Sequence, residues 1–406
     1  MPDQAESGHK VPVLAPARMI SRKTFLASMA LVAVVAFIIG TRSADIRAVV
    51  GPLFGIKISS DTLDLSSVQD TYRNLKANFD GNLDTAKLID GASRGLTAAA
   101  GDRYTVFMDK TEASDFSKSL SGQVSGVGAE IGIRTSQPTI VRIIADSPAE
   151  LAGLKAGDTI IAVNGDSVES LTTDQVATKI RGDAGTSVKV TVRRSGESKD
   201  FTITRANITD KSVRSEIRNG VGILTISRFD TDTGDLARQA AQNFKSSGVK
   251  AVVLDLRDDG GGYLTAAQDV SSLWFTDKTV VTEKQGDKVT DTVKASGTPI
   301  LAGMKTVVLV NGGTASASEI VSGALQDYGL AKLIGEKTYG KGSVQEIISL
   351  ADGRELKVTV AKWYTPKGKN ITAEGITPDQ SVTMTAADVD AGRDPQLDAA
   401  LAAAAQ

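Results

Sequence analysis

Two side chains in this sequence have the types and surroundings to do chemistry, Ser316 and Lys341. Ser316 stands in a Gly/Ser/Thr turn, Asn311-Gly312-Gly313-Thr314-Ala315-Ser316-Ala317-Ser318. The run that follows has Ile320, Val321, Ala324 and Leu325 at the spacing of one helix face. Lys341 stands in a glycine-bracketed turn, Tyr339-Gly340-Lys341-Gly342-Ser343. A serine at a helix N-terminus lies at the positive end of the helix dipole, among N–H groups without a helical partner. Those N–H groups can hold the negative oxygen that forms when a serine attacks a carbonyl. Serine is a weak nucleophile and needs a base. The chain has one histidine, His9, in a polar N-terminal tail, and no cysteine. A histidine-based triad is disfavoured, and a cysteine nucleophile and cysteine-held zinc are excluded. Lys341 is the remaining base, provided that burial brings its pKa from about 10.4 to roughly 7–8. The same residues also have a plain structural reading. Ser316 and Glu319 have capping-box spacing, and a Gly-Lys-Gly turn is often a solvated loop tip.

The stretch resembles the signature of the carboxy-terminal processing peptidases, the tail-specific serine proteases of the S41 type. Their pattern is a Ser-Ala-Ser-Ala-Ser-Glu-Ile turn and helix, then Gly-Glu-Lys-Thr-Phe-Gly-Lys-Gly-Ser-Val-Gln. Here the pieces read Thr314-Ala315-Ser316-Ala317-Ser318-Glu319-Ile320 and Gly335-Glu336-Lys337-Thr338-Tyr339-Gly340-Lys341-Gly342-Ser343-Val344-Gln345. The two departures, Thr314 and Tyr339, touch neither the nucleophile nor the base. By position the resemblance implies Ser316 as nucleophile, Lys341 as base and Gln345 as the residue that orients the lysine. It further implies a serine endopeptidase that cuts proteins near their C-termini without metal or organic cofactor. The resemblance runs from about residue 65 to the C-terminus. The competing class is a non-catalytic PDZ adaptor, against which the intact Ser316, Lys341 and Gln345 argue.

Elements must position these residues, and 406 residues suggest two or three domains. With 23% charged and 41% apolar residues the chain reads as ordinary globular protein, and its net charge of −2 gives no reason to expect a nucleic-acid partner. Residues 1–24 are polar, with Lys10, Arg18, Arg22 and Lys23, and read as a cytoplasmic tail. Residues 25–41 include the uncharged run Phe25–Gly40, just long enough for a bilayer span. The basic residues before it predict a single-pass anchor in the cell membrane, with the remainder extracytoplasmic. A cleaved signal peptide is the alternative. Residues 42–64 read as a linker.

Residues 65–120 read as a helical N-terminal region. Within it, Gly101-Asp102-Arg103-Tyr104-Thr105 resembles the family's Asp-Pro-Tyr-Ser segment, with Arg103 in place of proline. Residues 122–206 look like a PDZ domain: the glycine turn Gly126-Val127-Gly128-Ala129 enters a strand, Asn164-Gly165 is a hairpin signal, and Leu171–Ile180 is helical. Such a turn and strand edge hold the C-terminal tail of a protein substrate, which makes Gly126, Val127, Gly128 and Ala129 the peptide-binding candidates. From 207 to 390 the pattern is that of an α/β core, expected by resemblance to be ClpP/crotonase-like, and 391–406 read as a C-terminal helix. The buried strand Ala251–Leu256 runs into Arg257-Asp258-Asp259-Gly260-Gly261-Gly262, where the family has Arg-Asn-Asn-Pro-Gly-Gly. The resemblance puts one oxyanion N–H here, at Gly261, and the other at Ala317. Adjacent Asp258 and Asp259 without further ligands are weak evidence for a metal. The expected fold is thus multidomain α+β: helical region, PDZ domain, α/β core. Substrate identity and the formation of a homo-oligomer stay open at this stage.

Overall fold

The computed structural model describes residues 63–134, 137–168, 171 and 173–406. The chain divides into two compact units, one ending at Thr85 and one running from Ala86 to Gln406. In the first, the helix Ser66–Asn78 carries no buried residue. The tail and linker expected at the N-terminus lie outside the described residues, as does the apolar run of 25–41. The expectation of a single-pass membrane protein is corrected: among the described residues no helix is long and apolar enough to cross a membrane. The helices that do form around the sheets have mixed polar and apolar faces, and short lengths suited to packing on a sheet.

The region expected to be wholly helical is interrupted. Helices Thr85–Ala99 and Lys110–Leu120 flank a strand, Val106–Met108, which pairs antiparallel with Glu355–Tyr364. Phe107 and Met108 are buried there. Three residues are too few for a period to show in sequence, and the strand exists because a partner edge is available.

The PDZ domain is a sheet in the order Ala129–Arg134, Gln137–Ile143, Thr159–Val163, Ser187–Arg194, Glu197–Thr204, with Asp166–Ser167 paired to Thr159–Val163. Ser187–Arg194 alternates as a half-buried strand should: Val188, Val190 and Val192 point into the core and Lys189 points out. Asn164 and Gly165 both take positive φ, 52° and 89°, as a two-residue hairpin turn of this hand requires. Strands Gln123–Gly126 and Ala206–Thr209 pair with each other, so the domain's entry and exit lie side by side.

After the PDZ domain comes the α/β core. Its six-stranded sheet runs Val213–Arg218, Val221–Ile226, Ala251–Asp255, Lys305–Val310, Ala331–Gly335, Gln380–Ser381. The first pair is antiparallel and the others parallel. Both faces of such a sheet must be covered. Leu224, Val252, Leu254, Val308 and Val310 pack under the helices Thr233–Ser246, Leu264–Ser271 and Ala317–Asp327. Ile223, Ala251, Val253, Val307 and Leu309 face Ala400 and Ala404 of the C-terminal helix, Pro395–Ala405. A second sheet joins Glu355–Tyr364 to Ser343–Ser349, Thr279–Gln285 and Lys288–Lys294.

Arg257 closes the central strand onto the C-terminal helix. Its guanidinium donates to both Asp255 oxygens, at 2.9 and 2.7 Å, and to both Asp394 oxygens, at 2.9 Å. Arg257→Ala leaves two shielded carboxylates without their counter-charge. The expected loss is about 3 kcal/mol of stability, read as a lower urea midpoint, with Arg257→Lys recovering only part of it because it lacks the fork.

Candidate active site

The strand Lys305–Val310, buried from Thr306 onward, delivers the turn that carries Ser316. Within that turn the Asn311 side chain accepts from the Asp258 and Gly313 amides, and Thr314 donates its hydroxyl to the Leu256 carbonyl. Ala315 donates its N–H to the Asp259 carbonyl at 2.9 Å. The turn is therefore sewn to the neighbouring Leu256–Gly262 turn. Ser316 is held at φ 58°, ψ −117°, a conformation that costs a non-glycine residue roughly 1–3 kcal/mol. The helix Ala317–Asp327 begins at the next residue, so the Ala317 N–H has no helical acceptor.

The capping reading of Ser316 is half realised. Glu319 accepts the Ser316 N–H at 2.9 Å, while the Ser316 hydroxyl stands toward the Glu319 amide without an aligned cap bond. Glu319 does more than cap. It is fully buried, and its carboxylate also accepts from the Thr338 hydroxyl at 2.5 Å, the Gly340 N–H at 2.7 Å and the Lys341 N–H at 2.9 Å. One carboxylate thus joins the serine turn to the lysine turn. Sequence reading registered Glu319 only as a cap, because nothing local says that residues some twenty positions later will share it.

The Gly-Lys-Gly turn is not a solvated loop tip. A Cβ on Gly340 would come within 2.8 Å of the Gly375 nitrogen, and one on Gly342 within 2.8 Å of the Thr372 nitrogen. The loop Asn370–Gly375 is packed against the turn, and Trp363 donates its indole N–H to the Lys341 carbonyl at 2.8 Å. Burial pushes the Lys341 amine below the ordinary lysine value; nearby Lys357 pushes it further down, and Glu319 opposes both. The Lys341 ammonium position lies 5.6 Å from the centre of the Tyr104 ring. Gln345 donates to the Ser343 hydroxyl at 2.8 Å and to Thr359 at 3.3 Å. Thr359 in turn donates to Asp102 at 2.6 Å. The segment 101–105, to which no chemistry could be assigned from sequence, therefore reaches the lysine and the glutamine. The family-like Asp-x-Tyr-x pattern was the signal.

Ser316, Ala317, Lys341, Gln345 and Gly261 line one cavity of about 530 Å³. Its apolar walls include Phe116, Leu264, Ile320, Val344 and Trp363. Gly261, at φ 94°, abuts the serine turn so closely that a Cβ would lie 2.8 Å from the Ala317 nitrogen and 2.7 Å from the Ala315 carbonyl oxygen. Its N–H, however, is donated to the Asp259 carboxylate at 2.8 Å. Asp327, the last residue of the helix Ala317–Asp327, accepts the Lys367 N–H at 2.8 Å and is not among the residues that line this cavity. A second cavity, of about 330 Å³, is lined by Gly126, Val127, Gly128 and Ala129 together with Ala177 and Ile180 of the PDZ helix.

This arrangement sets a helix-opening serine and a partly buried lysine against one cavity of an α/β core, and comparison with known proteins gives the class of protein that carries it. Residues 220–382 match the model of peptidase family S41, and residues 139–194 match a PDZ domain model. A probable CtpA-like serine protease of Staphylococcus haemolyticus is 36% identical over 352 residues, spanning 85% of this chain and 70% of the relative. Its counterpart in Staphylococcus aureus (strain MSSA476) is 35% identical over 325 residues, 80% of this chain and 66% of the relative. Among solved structures, the photosystem II D1 C-terminal processing protease superposes with a TM-score of 0.53 at 28% identity, covering 79% of this chain and 87% of that one. A putative S41 protease from Bacteroides fragilis gives a TM-score of 0.56 at 21% identity, over 80% and 91%, which bears on the fold alone. The chain belongs to peptidase family S41 and is a serine peptidase.

Two substitutions test the electrostatics. Lys357→Gln removes a like charge, so the Lys341 amine is expected to titrate a few tenths of a unit higher, read from the pH dependence of its acylation followed by peptide mapping. Glu319→Gln replaces one accepting oxygen by a donor facing N–H groups. The expected cost is about 2 kcal/mol of stability, measured by denaturant unfolding, with turnover falling more than tenfold.

Proposed function

We propose that the protein is a processing endopeptidase that uses a Ser316–Lys341 pair and takes its substrates by their C-terminal tails. Ser316 Oγ attacks the scissile carbonyl and its proton passes to the Lys341 amine. The tetrahedral oxyanion is held by the Ala317 N–H and, once released from Asp259, the Gly261 N–H. Lys341 then protonates the leaving amine, and a water deprotonated by the same lysine hydrolyses the acyl-enzyme. Gln345 acts by position: its amide group is tied to Ser343 and Thr359, leaving its carbonyl to accept from Lys341.

The observation that carries this reading is the shared cavity. It puts a strained serine, a helix-opening amide and a lysine whose burial favours the neutral amine against one apolar-walled space. A neutral lysine is what a general base at neutral pH must be. Tail recognition draws on the separate groove at Gly126–Ala129, whose glycine turn and strand edge suit an extended peptide with a terminal carboxylate. The name of the structural relative, a C-terminal processing protease, supports the same substrate class.

The test incubates the full chain with an unfolded protein ending in an apolar tail, beside Ser316→Ala and Lys341→Ala. Both variants should lose activity by about 10³-fold or more. Amidating the substrate's C-terminus should raise KM more than it lowers kcat. Cleavage by all three forms at equal rates would refute the assignment. Binding of the tail without cleavage by any of them would favour a PDZ adaptor.

A further inference from the structure

One buried acid beside the site enters the steps above only as the present acceptor of the Gly261 N–H. Asp259 is wholly inaccessible to solvent. Its Oδ1 accepts the Gly261 N–H at 2.8 Å, while its Oδ2 is buried without any hydrogen-bond partner. Its backbone carbonyl takes the Ala315 N–H at 2.9 Å and the Ser318 hydroxyl at 3.0 Å. The residue is thereby wedged between the serine turn and Gly261.

We propose that Asp259 is a proton-sensitive positioning residue: ionised, it holds the Gly261 N–H away from the oxyanion hole, and protonated, it lets that N–H turn to the substrate. The inference rests on the Ser316–Lys341 reading, since it concerns that site's second oxyanion donor. An ionised carboxylate makes the stronger bond to an amide. It also places a negative charge beside the point where the reaction must develop another. Neutral Asp259 does neither. An ionised oxygen buried without a partner is costly, and a proton lessens that cost. Burial accordingly pushes the Asp259 carboxyl up to about 7, against the opposing effects of the Gly261 N–H, the Ser318 hydroxyl and Arg228. Arg228 is the charged group that bears on it, and its guanidinium is paired with Asp230 at 3.0 Å. The other acids nearby are committed elsewhere, Glu319 to the lysine turn and Asp258 to Asn311.

The sign follows directly. Ionisation of Asp259 opposes the reaction, so activity is withdrawn as pH rises through about 7. Lysine deprotonation acts in the opposite sense, and the ratio of a variant to wild type cancels it. The experiment measures kcat/KM of the full chain on a tailed peptide substrate from pH 5.5 to 9, for wild type and Asp259→Asn. The amide keeps the shape and an accepting oxygen but cannot ionise. The variant-to-wild-type ratio is expected to climb by roughly fifteenfold between pH 7 and pH 8.5, as one ionisation at about 7 dictates. A ratio flat across the range would overturn the proposal, because a merely structural role changes activity equally at every pH.

Thermal unfolding of the same two proteins gives a readout independent of turnover. A carboxyl whose folded pKa is raised binds its proton more tightly in the native state, so stability is lost as pH rises towards and through that value. Wild type should lose more Tm than Asp259→Asn between pH 5 and 8.5, and parallel losses would count against the inference. Ser316→Ala and Lys341→Ala are run alongside. If they cleave normally, the underlying dyad assignment fails. If they are inactive and the Asp259→Asn ratio is flat, the Asp259 inference alone fails.

Discussion

The buried carboxylate of Glu319 is the interaction on which the site depends. It accepts four hydrogen bonds, from the Ser316, Gly340 and Lys341 amides and the Thr338 hydroxyl. A charge enclosed in protein persists only when its lone pairs are satisfied, and these four donors come from two separate stretches of chain. The carboxylate can be satisfied only if the serine turn and the lysine turn meet. Their meeting is thus written into the cost of burying one acid. The Thr338 hydroxyl extends the arrangement by accepting the Ile376 N–H at 2.7 Å, which draws in the loop that packs on the lysine turn.

The third turn is held by different means. Asn311 and Thr314 bridge the serine turn to residues 256–258 through side-chain bonds, and Asp259 bridges it through its backbone carbonyl. Arg257, between these, anchors the turn to Asp394 at the start of the C-terminal helix. Each turn leaves the C-terminal end of a parallel strand, so the sheet supplies a common rigid base. This explains how Ser316 can stay at a positive φ. The surrounding bonds over-determine the backbone, and relaxing one residue would break several of them.

The PDZ domain is organised on another principle. Its core joins alternating residues of antiparallel strands to Ala149, Val176 and Ile180 of its two helices, and the strands Gln123–Gly126 and Ala206–Thr209 at its two ends pair, so it enters and leaves the chain at one place. Its groove and the cavity at Ser316 both set a glycine-containing turn beside apolar side chains. The groove has no titratable nucleophile among Gly126–Ala129, and the cavity has Ser316. The two cavities lie on separate elements, each with its own core.

Much of this was legible in the sequence because it is local. Alternation in Val188–Arg193 marks a strand, Asn164-Gly165 marks a hairpin, and the largely apolar run Ala251–Leu256, broken only by Asp255, marks a buried strand. The serine turn, its helix and the glycine-bracketed lysine were visible as motifs, since each is a contiguous string with a mechanical reason for its residues. What sequence could not supply is what depends on two strings meeting. Glu319 looked like a cap and became the tie between turns. Tyr104, Thr359 and Asp102 looked unconnected to the site and form its outer network. Gly261 looked like a free oxyanion donor, and its N–H is engaged by Asp259, two residues earlier in the same turn. Periodicity and motif specify which backbone each segment adopts. Which buried polar groups find each other, and therefore how the lysine amine and the Asp259 carboxyl are charged, is decided only when the turns close together and exclude water.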